Sequence, residues 1–103
     1  MRLCRADEVE AGSVRRFEPP ESEVAVALAS CDSGLRAVVD NCSHEDYPLS
    51  EGELFASECE LECLKHGSTF SLIDGEPLSL PATKPVRILP VEVVDGEVWV
   101  ELP

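Results

Sequence analysis

Histidine is nearly absent from this chain of 103 residues, with two copies, and aromatic residues make up only 5%. One Trp, one Tyr and three Phe cannot fill a core, so the 44% of hydrophobic residues must do so mainly as Val, Leu, Ile and Ala. Basic residues are also few: 8 Lys and Arg stand against 21 Asp and Glu, for a formal net charge of −13. A field of that sign repels phosphate, which excludes nucleic acids and anionic membranes as partners held by general electrostatics. No long apolar run opens the chain. Met1-Arg2-Leu3-Cys4-Arg5-Ala6-Asp7-Glu8 leads to the expectation of neither a signal peptide nor a membrane anchor. The five Cys are odd in number, and Cys4, Cys31 and Cys59 stand at spacings that suggest no disulfide framework. A reducing cytoplasm fits such usage.

Helix signals are nearly absent as well, while short apolar runs bounded by turn residues recur along the chain. The pattern predicts strands at Leu3 to Ala6, Ser13 to Phe17, Val24 to Ala29, Leu35 to Val39, Glu53 to Phe55 and Cys59 to Leu61, then Thr69 to Ile73, Val86 to Val94 and Glu97 to Leu102. Asp7 to Gly12 reads as a loop or a single helical turn. Asp32-Ser33-Gly34, Asp74-Gly75 and Asp95-Gly96 supply turns, the last two being strong hairpin signals. The expectation is one all-β domain over 1–103, an antiparallel sandwich or barrel, with no repeat, low-complexity stretch or linker.

Both histidines sit beside cysteines. Cys42-Ser43-His44 and Cys63-Leu64-Lys65-His66 give the pattern C-x-H…C-x2-H, two thiols and two imidazoles in alternating order. A mononuclear zinc site is one way to use them, but zinc modules usually keep their two Cys together and their two His together. The alternation suits a two-iron centre in which Cys hold one iron and His the other. Replacing two thiolates with neutral imidazoles removes negative charge from one iron and makes it easier to reduce. Potentials of such mixed sites run from about −150 to +300 mV, against about −400 mV for plant-type clusters.

With these pairs, the Gly67 that follows the second His and the Pro-containing loop downstream, the chain resembles soluble Rieske-type [2Fe–2S] ferredoxins over nearly its whole length. The resemblance implies a Rieske fold of layered antiparallel sheets, with the cluster held at the tip of a subdomain formed by two loops. It implies that Cys42 and Cys63 ligate the inner iron and His44 and His66 the outer one. The implied activity is one-electron transfer without catalysis of its own, by a monomer that takes electrons from a flavin-dependent reductase and passes them to a terminal oxygenase. Pro48-Leu49-Ser50-Glu51-Gly52-Glu53 and Leu80-Pro81-Ala82-Thr83 also resemble actinobacterial ferredoxins associated with SUF-type iron–sulfur assembly, so assembly proteins stand as alternative partners. Two further classes stay open: the Rieske-like small subunit of a nitrite-reductase-type enzyme, and a zinc-bound structural or interaction module.

The resemblance also assigns roles around the ligands. Ser68 stands where high-potential members carry a Ser that hydrogen-bonds a bridging sulfide. Phe70 stands where they carry a Tyr that donates to a ligand thiolate, and a Phe cannot make that bond. Tyr47 and Lys65 replace the loop-bridging disulfide of the cytochrome-complex proteins. The expected potential is therefore at the low end of the family's range. Leu80 to Val86 resembles the segment that covers the cluster, stiffened by Pro81 and Pro85, with Leu49, Leu80 and Pro81 as candidate shields. In Cys59-Glu60-Leu61-Glu62-Cys63 the odd positions share one strand face, which reads Cys59 as a small core residue. Cys4 and Cys31 likewise read as packing residues without chemistry. Glu45, Asp46, Glu51, Glu53, Glu58, Glu60 and Glu62 form an acidic run between the two pairs, suited to a basic docking face on a redox partner.

Overall fold

The computed structural model describes every residue except Glu21. Its strands are β1 (Arg2–Arg5), β2 (Val14–Phe17), β3 (Val26–Cys31), β4 (Gly34–Val39), β5 (Glu53–Phe55), β6 (Glu60–Glu62), β7 (Thr69–Ser71), β8 (Ile88–Leu89), β9 (Val91–Val94) and β10 (Glu97–Val100). Two single 3-10 turns, Ala6–Glu8 and Leu49–Glu51, are the helical elements among the described residues. The strands form three antiparallel sheets, ordered β1-β10-β9, β2-β3-β4-β8 and β5-β6-β7. The all-β expectation holds.

The four-stranded sheet is the middle layer. Along β3, Val26 and Leu28 pack with Cys4, Val98 and Val100 of the terminal sheet. Ala27, Ala29 and Cys31 face the opposite way and pack with Leu61 and Phe70 of the β5-β6-β7 sheet. A strand buried on both faces has no polar side to alternate, which is why its sequence reads as a continuous apolar run. The same split occurs in β4, where Ala37 belongs to one core and Val38 to the other.

Several strand boundaries move, each for a local reason. The third strand begins at Val26 rather than Val24. Ser22 Oγ accepts from Val24 N (3.1 Å) and donates to Val24 O (2.9 Å), which holds that residue in a turn. Val86 to Val94 is not one strand. Pro90 has no N–H to give a ladder, and the chain passes there from β8 in the middle sheet to β9 in the terminal sheet. Asp95-Gly96 makes the expected tight hairpin, with φ of 52° and 75°. The Asp74-Gly75 hairpin is smaller than expected, since β7 stops at Ser71 and the returning chain makes one isolated bridge, Phe70 to Pro77.

The cysteine reading needs correction. Cys59 is buried as expected, yet it lies in the turn before β6 with a left-handed φ of 56°, not in the strand. It forms a disulfide with Cys31 at the end of β3. The sequence reads both as packing residues without chemistry, and the bridge overturns that. No sequence spacing signals this bridge, because it joins residues that only the stacking of two sheets brings together. Beside it one backbone bond crosses the same seam, Asp32 N to Ala56 O (3.0 Å), while Leu72 N to Cys59 O (2.9 Å) extends the β6-β7 pairing within its own sheet. Cys4 is a free, buried thiol, as expected.

Candidate metal centre

Three loops converge beyond the β5-β6-β7 sheet. The first leaves β4 at Asp40, whose side chain is fully enclosed. Its Oδ1 accepts from Ser50 N (2.8 Å), and its Oδ2 accepts from Ser50 Oγ (2.5 Å) and Arg16 Nη1 (2.9 Å). Asp40 thus ties both ends of the 40–50 segment to β2. Within that segment Cys42 N donates to Tyr47 O (2.9 Å) and Tyr47 N to Asn41 Oδ1 (3.1 Å), closing the loop on itself. The second loop leaves β6 at Cys63, and Cys63 N donates to Ser68 O (2.7 Å) while Gly67 N donates to Cys63 O (2.8 Å). Gly67 has a φ of 72°, a conformation that side chains with a Cβ adopt reluctantly, so the Gly after the second His is required by the turn.

The third loop is fastened to both. Ala82 N donates to the buried Ser68 Oγ (3.0 Å), and Ser43 Oγ donates to Lys84 O (2.5 Å). Of the candidate shields, Leu49 is fully buried, but Leu80 and Pro81 lie on the surface, with Leu80 78% exposed. The residues of this loop that join the buried core of the two Cys are Ala82 and Val86, with Ala82 at its inward approach. A small side chain fits because the loop backbone itself comes in close enough to bond Ser68.

The four candidate side chains fall into two pairs. Cys42 and Cys63 are 2% and 0% exposed and share a core with Leu49, Phe70 and Ala82. Burial pushes the Cys63 thiol up from its ordinary pKa, and its hydrogen bond with Cys42 adds to the rise. His44 is exposed and His66 partly so, their ring centroids 4.7 Å apart and nearly perpendicular. Among the described residues no three Cys, His, Asp or Glu side chains converge as they would on a single ion. An inner pair of thiols and an outer pair of imidazoles can instead serve a centre with two metals, one sulfur-bound and one nitrogen-bound.

Two residues of the site were not singled out from sequence. Asp40 is one, and its only signal is a carboxylate directly before the first loop. Glu45 is the other: its Oε2 lies 2.7 Å from His66 Nε2 and 3.1 Å from Lys65 Nζ. These contacts, His66 first and Lys65 second, hold the Glu45 carboxyl below its ordinary pKa. In sequence Glu45 is one acid of an acidic run, and nothing there marks it out. Tyr47 and Lys65 do face each other across the loops, with Lys65 Nζ 6.0 Å from the Tyr47 ring centroid.

Comparison with known proteins agrees with this geometry. The sequence pattern of the Rieske [2Fe-2S] domain matches residues 1–90. The 3-phenylpropionate/cinnamic acid dioxygenase ferredoxin subunit of Photorhabdus laumondii is 36% identical over 98 residues, covering 95% of this chain and 90% of its own. A chain in a complex of reduced oxygenase and oxidized ferredoxin in carbazole 1,9a-dioxygenase superposes with a TM-score of 0.90 at 33% identity, over 98% of this chain and 100% of that one. The ferredoxin of carbazole 1,9a-dioxygenase from Nocardioides aromaticivorans IC177 superposes with a TM-score of 0.92 at 27% identity, over 100% of this chain and 97% of its own. Among the described residues no helix is long and apolar enough to cross a membrane.

Proposed function

Because the chain belongs to the Rieske [2Fe-2S] domain family, we propose that Cys42 and Cys63 hold one iron of the cluster and His44 and His66 the other, with the whole of 1–103 as one domain. The observation that carries this reading is the sorting of the donors by depth, with both thiols enclosed and both imidazoles toward solvent. The bound cluster supplies a one-electron couple. The protein is a ferredoxin, an electron carrier rather than the oxygenase that uses the electron.

The residues divide the work. Cys42 and Cys63 keep the sulfur-bound iron dry among Leu49, Phe70 and Ala82. His44 and His66 provide the short path by which an electron leaves, since they are the more exposed of the four donors. Phe70 offers no hydroxyl to the sulfurs, which supports a potential at the low end of the range of about −150 to +300 mV. The partner in this reading is a terminal oxygenase approached with the imidazole edges foremost, and the donor is a flavin-dependent reductase. Iron–sulfur assembly proteins are the second possible recipients. This reading keeps the protein a monomer in the cytoplasm, although the Cys31–Cys59 bridge removes cysteine usage as an argument for a reducing compartment.

Colour and magnetic resonance test the assignment together. The purified protein should be red-brown and, once reduced, give the rhombic signal of a mixed-ligand two-iron cluster. A colourless, zinc-loaded preparation from iron-replete cells would overturn it in favour of the zinc module. His66→Cys should keep a cluster whose potential falls by on the order of 200 mV, toward that of all-thiolate clusters. An unchanged potential would remove His66 from the site.

A further inference from the structure

His66 makes a polar contact that binding iron does not by itself require. Its Nε2 stands 2.7 Å from Oε2 of Glu45. An ionised carboxylate only accepts hydrogen bonds, so Nε2 carries the proton and donates, and Nδ1 is left with the free lone pair. The same Glu45 oxygen is held by Lys65 Nζ at 3.1 Å. Glu45 belongs to the first loop, and Lys65 and His66 to the second, so the contact spans the gap between them. His44 has no such acceptor among the described residues, and its ring instead meets the ring of His66.

We propose that Glu45 is a positioning residue for the cluster, which fixes the tautomer and tilt of His66 so that Nδ1 faces the iron and which lowers the reduction potential through that ring. A carboxylate behind a metal-bound imidazole sets the ring's orientation and makes it a stronger donor. A stronger donor favours the more positive, oxidised iron over the reduced one. The inference rests on His66 being a ligand, as assigned above. It adds that the two histidines are unequal: one is anchored from behind and the other is not. Lys65 then has a second use beyond replacing half of a disulfide, because it holds Glu45 in place.

Glu45→Gln tests this with little change of shape at an exposed position. Asp46→Asn is the control, since it removes the same charge one residue away, where Oδ1 accepts from Asn41 Nδ2 (3.0 Å). Midpoint potentials of the three cluster-loaded proteins are compared at one pH and one ionic strength. Glu45→Gln should favour the reduced state by about threefold to tenfold, where tenfold corresponds to 59 mV for a one-electron couple. Asp46→Asn should give less than half that shift. Pulsed EPR of the reduced proteins reads the rings directly: in Glu45→Gln the coupling of the non-coordinating nitrogen should change for one histidine and stay constant for the other. Wild-type potential and couplings in Glu45→Gln, or an equal potential shift in Asp46→Asn, would overturn the proposal. Absence of any histidine nitrogen coupling in the wild type would mark a different failure, removing the ligand assignment and this inference with it.

Discussion

Cys31 and Cys59 join the end of β3 to the turn before β6, so the middle sheet and the cluster-side sheet are covalently one body. The link closes a loop with a sequence separation of 28, for which chain entropy gives about 2–4 kcal/mol. Both residues are buried, at 6% and 2% exposure, and so are screened from small thiols in solution. Reduction should therefore be slow in native buffer and fast in denaturant. In denaturant, thiol titration should find three free Cys before reduction, Cys4, Cys42 and Cys63, and all five after it. Reductant should lower the unfolding midpoint of the wild type to that of Cys31→Ala/Cys59→Ala and leave the double variant unchanged.

Asp40 predicts a loss of stability at a residue of the site that holds no metal itself. Its carboxylate is enclosed and takes three hydrogen bonds, from Arg16 and from both donors of Ser50. Removing one partner of a buried charged pair costs about 3–5 kcal/mol, with the lower end applying here because Arg16 is 37% exposed and can turn to water. Asp40→Ala should thus lower unfolding free energy by about 3 kcal/mol. It should also loosen the 40–50 segment, seen as faster amide exchange at Ser50 and Tyr47. Asp40→Asn should lose less, as it keeps the acceptor toward Ser50.

Gly52 predicts a loss of a different origin. Its φ of −86° suits any residue, but a Cβ there would run into the backbone carbonyl of Glu62, with no flexible side chain to move aside. Gly52→Ala should cost more than about 1–3 kcal/mol, the range for a tolerable overpacking, because the clash is with main chain. Thermal unfolding checks this. A melting temperature equal to wild type would show that the 3-10 turn Leu49–Glu51 and β6 can separate freely.

Cluster loading should depend on pH through Cys63. In the metal-free protein its thiol titrates above the usual range because it is buried, and because it hydrogen-bonds Cys42. With Cys63 as a ligand, as proposed above, iron would take the thiolate and loading would release that proton. Raising the pH increases the thiolate fraction, and anaerobic reconstitution should speed up between about pH 7 and pH 9. The charge-free change Phe70→Tyr should not alter that slope, although its added hydroxyl should raise the potential of the loaded cluster.

Much of this was legible in the sequence. The scarcity of histidine made the two pairs conspicuous, and glycine at 67 follows from a turn that needs positive φ. Alternation and Asp-Gly turns located most strands, because those signals act within a few residues. The exceptions involve partners distant along the chain. Cys59 is buried in the same core as Leu61 and Cys63, but from a turn and not the strand the pattern suggests, and its sulfur bonds a residue of another sheet. Glu45 looks like its acidic neighbours until the second loop folds beside it. Leu80 reads as a shield because it is apolar, whereas the backbone approach that puts Ala82 inward leaves no trace in hydropathy.

The middle sheet also pairs β4 directly with β8, through Ala37 with Leu89 and Val38 with Ile88, and Val39 N bonds Arg87 O (2.9 Å). Everything between those strands, including all three loops, leaves and re-enters the scaffold at adjacent points. The iron-binding unit is in this sense a cassette with its two ends side by side. Such a unit can be exchanged between scaffolds by two neighbouring cuts, with the Cys31–Cys59 bridge as the one covalent tie that the new scaffold would have to supply or forgo.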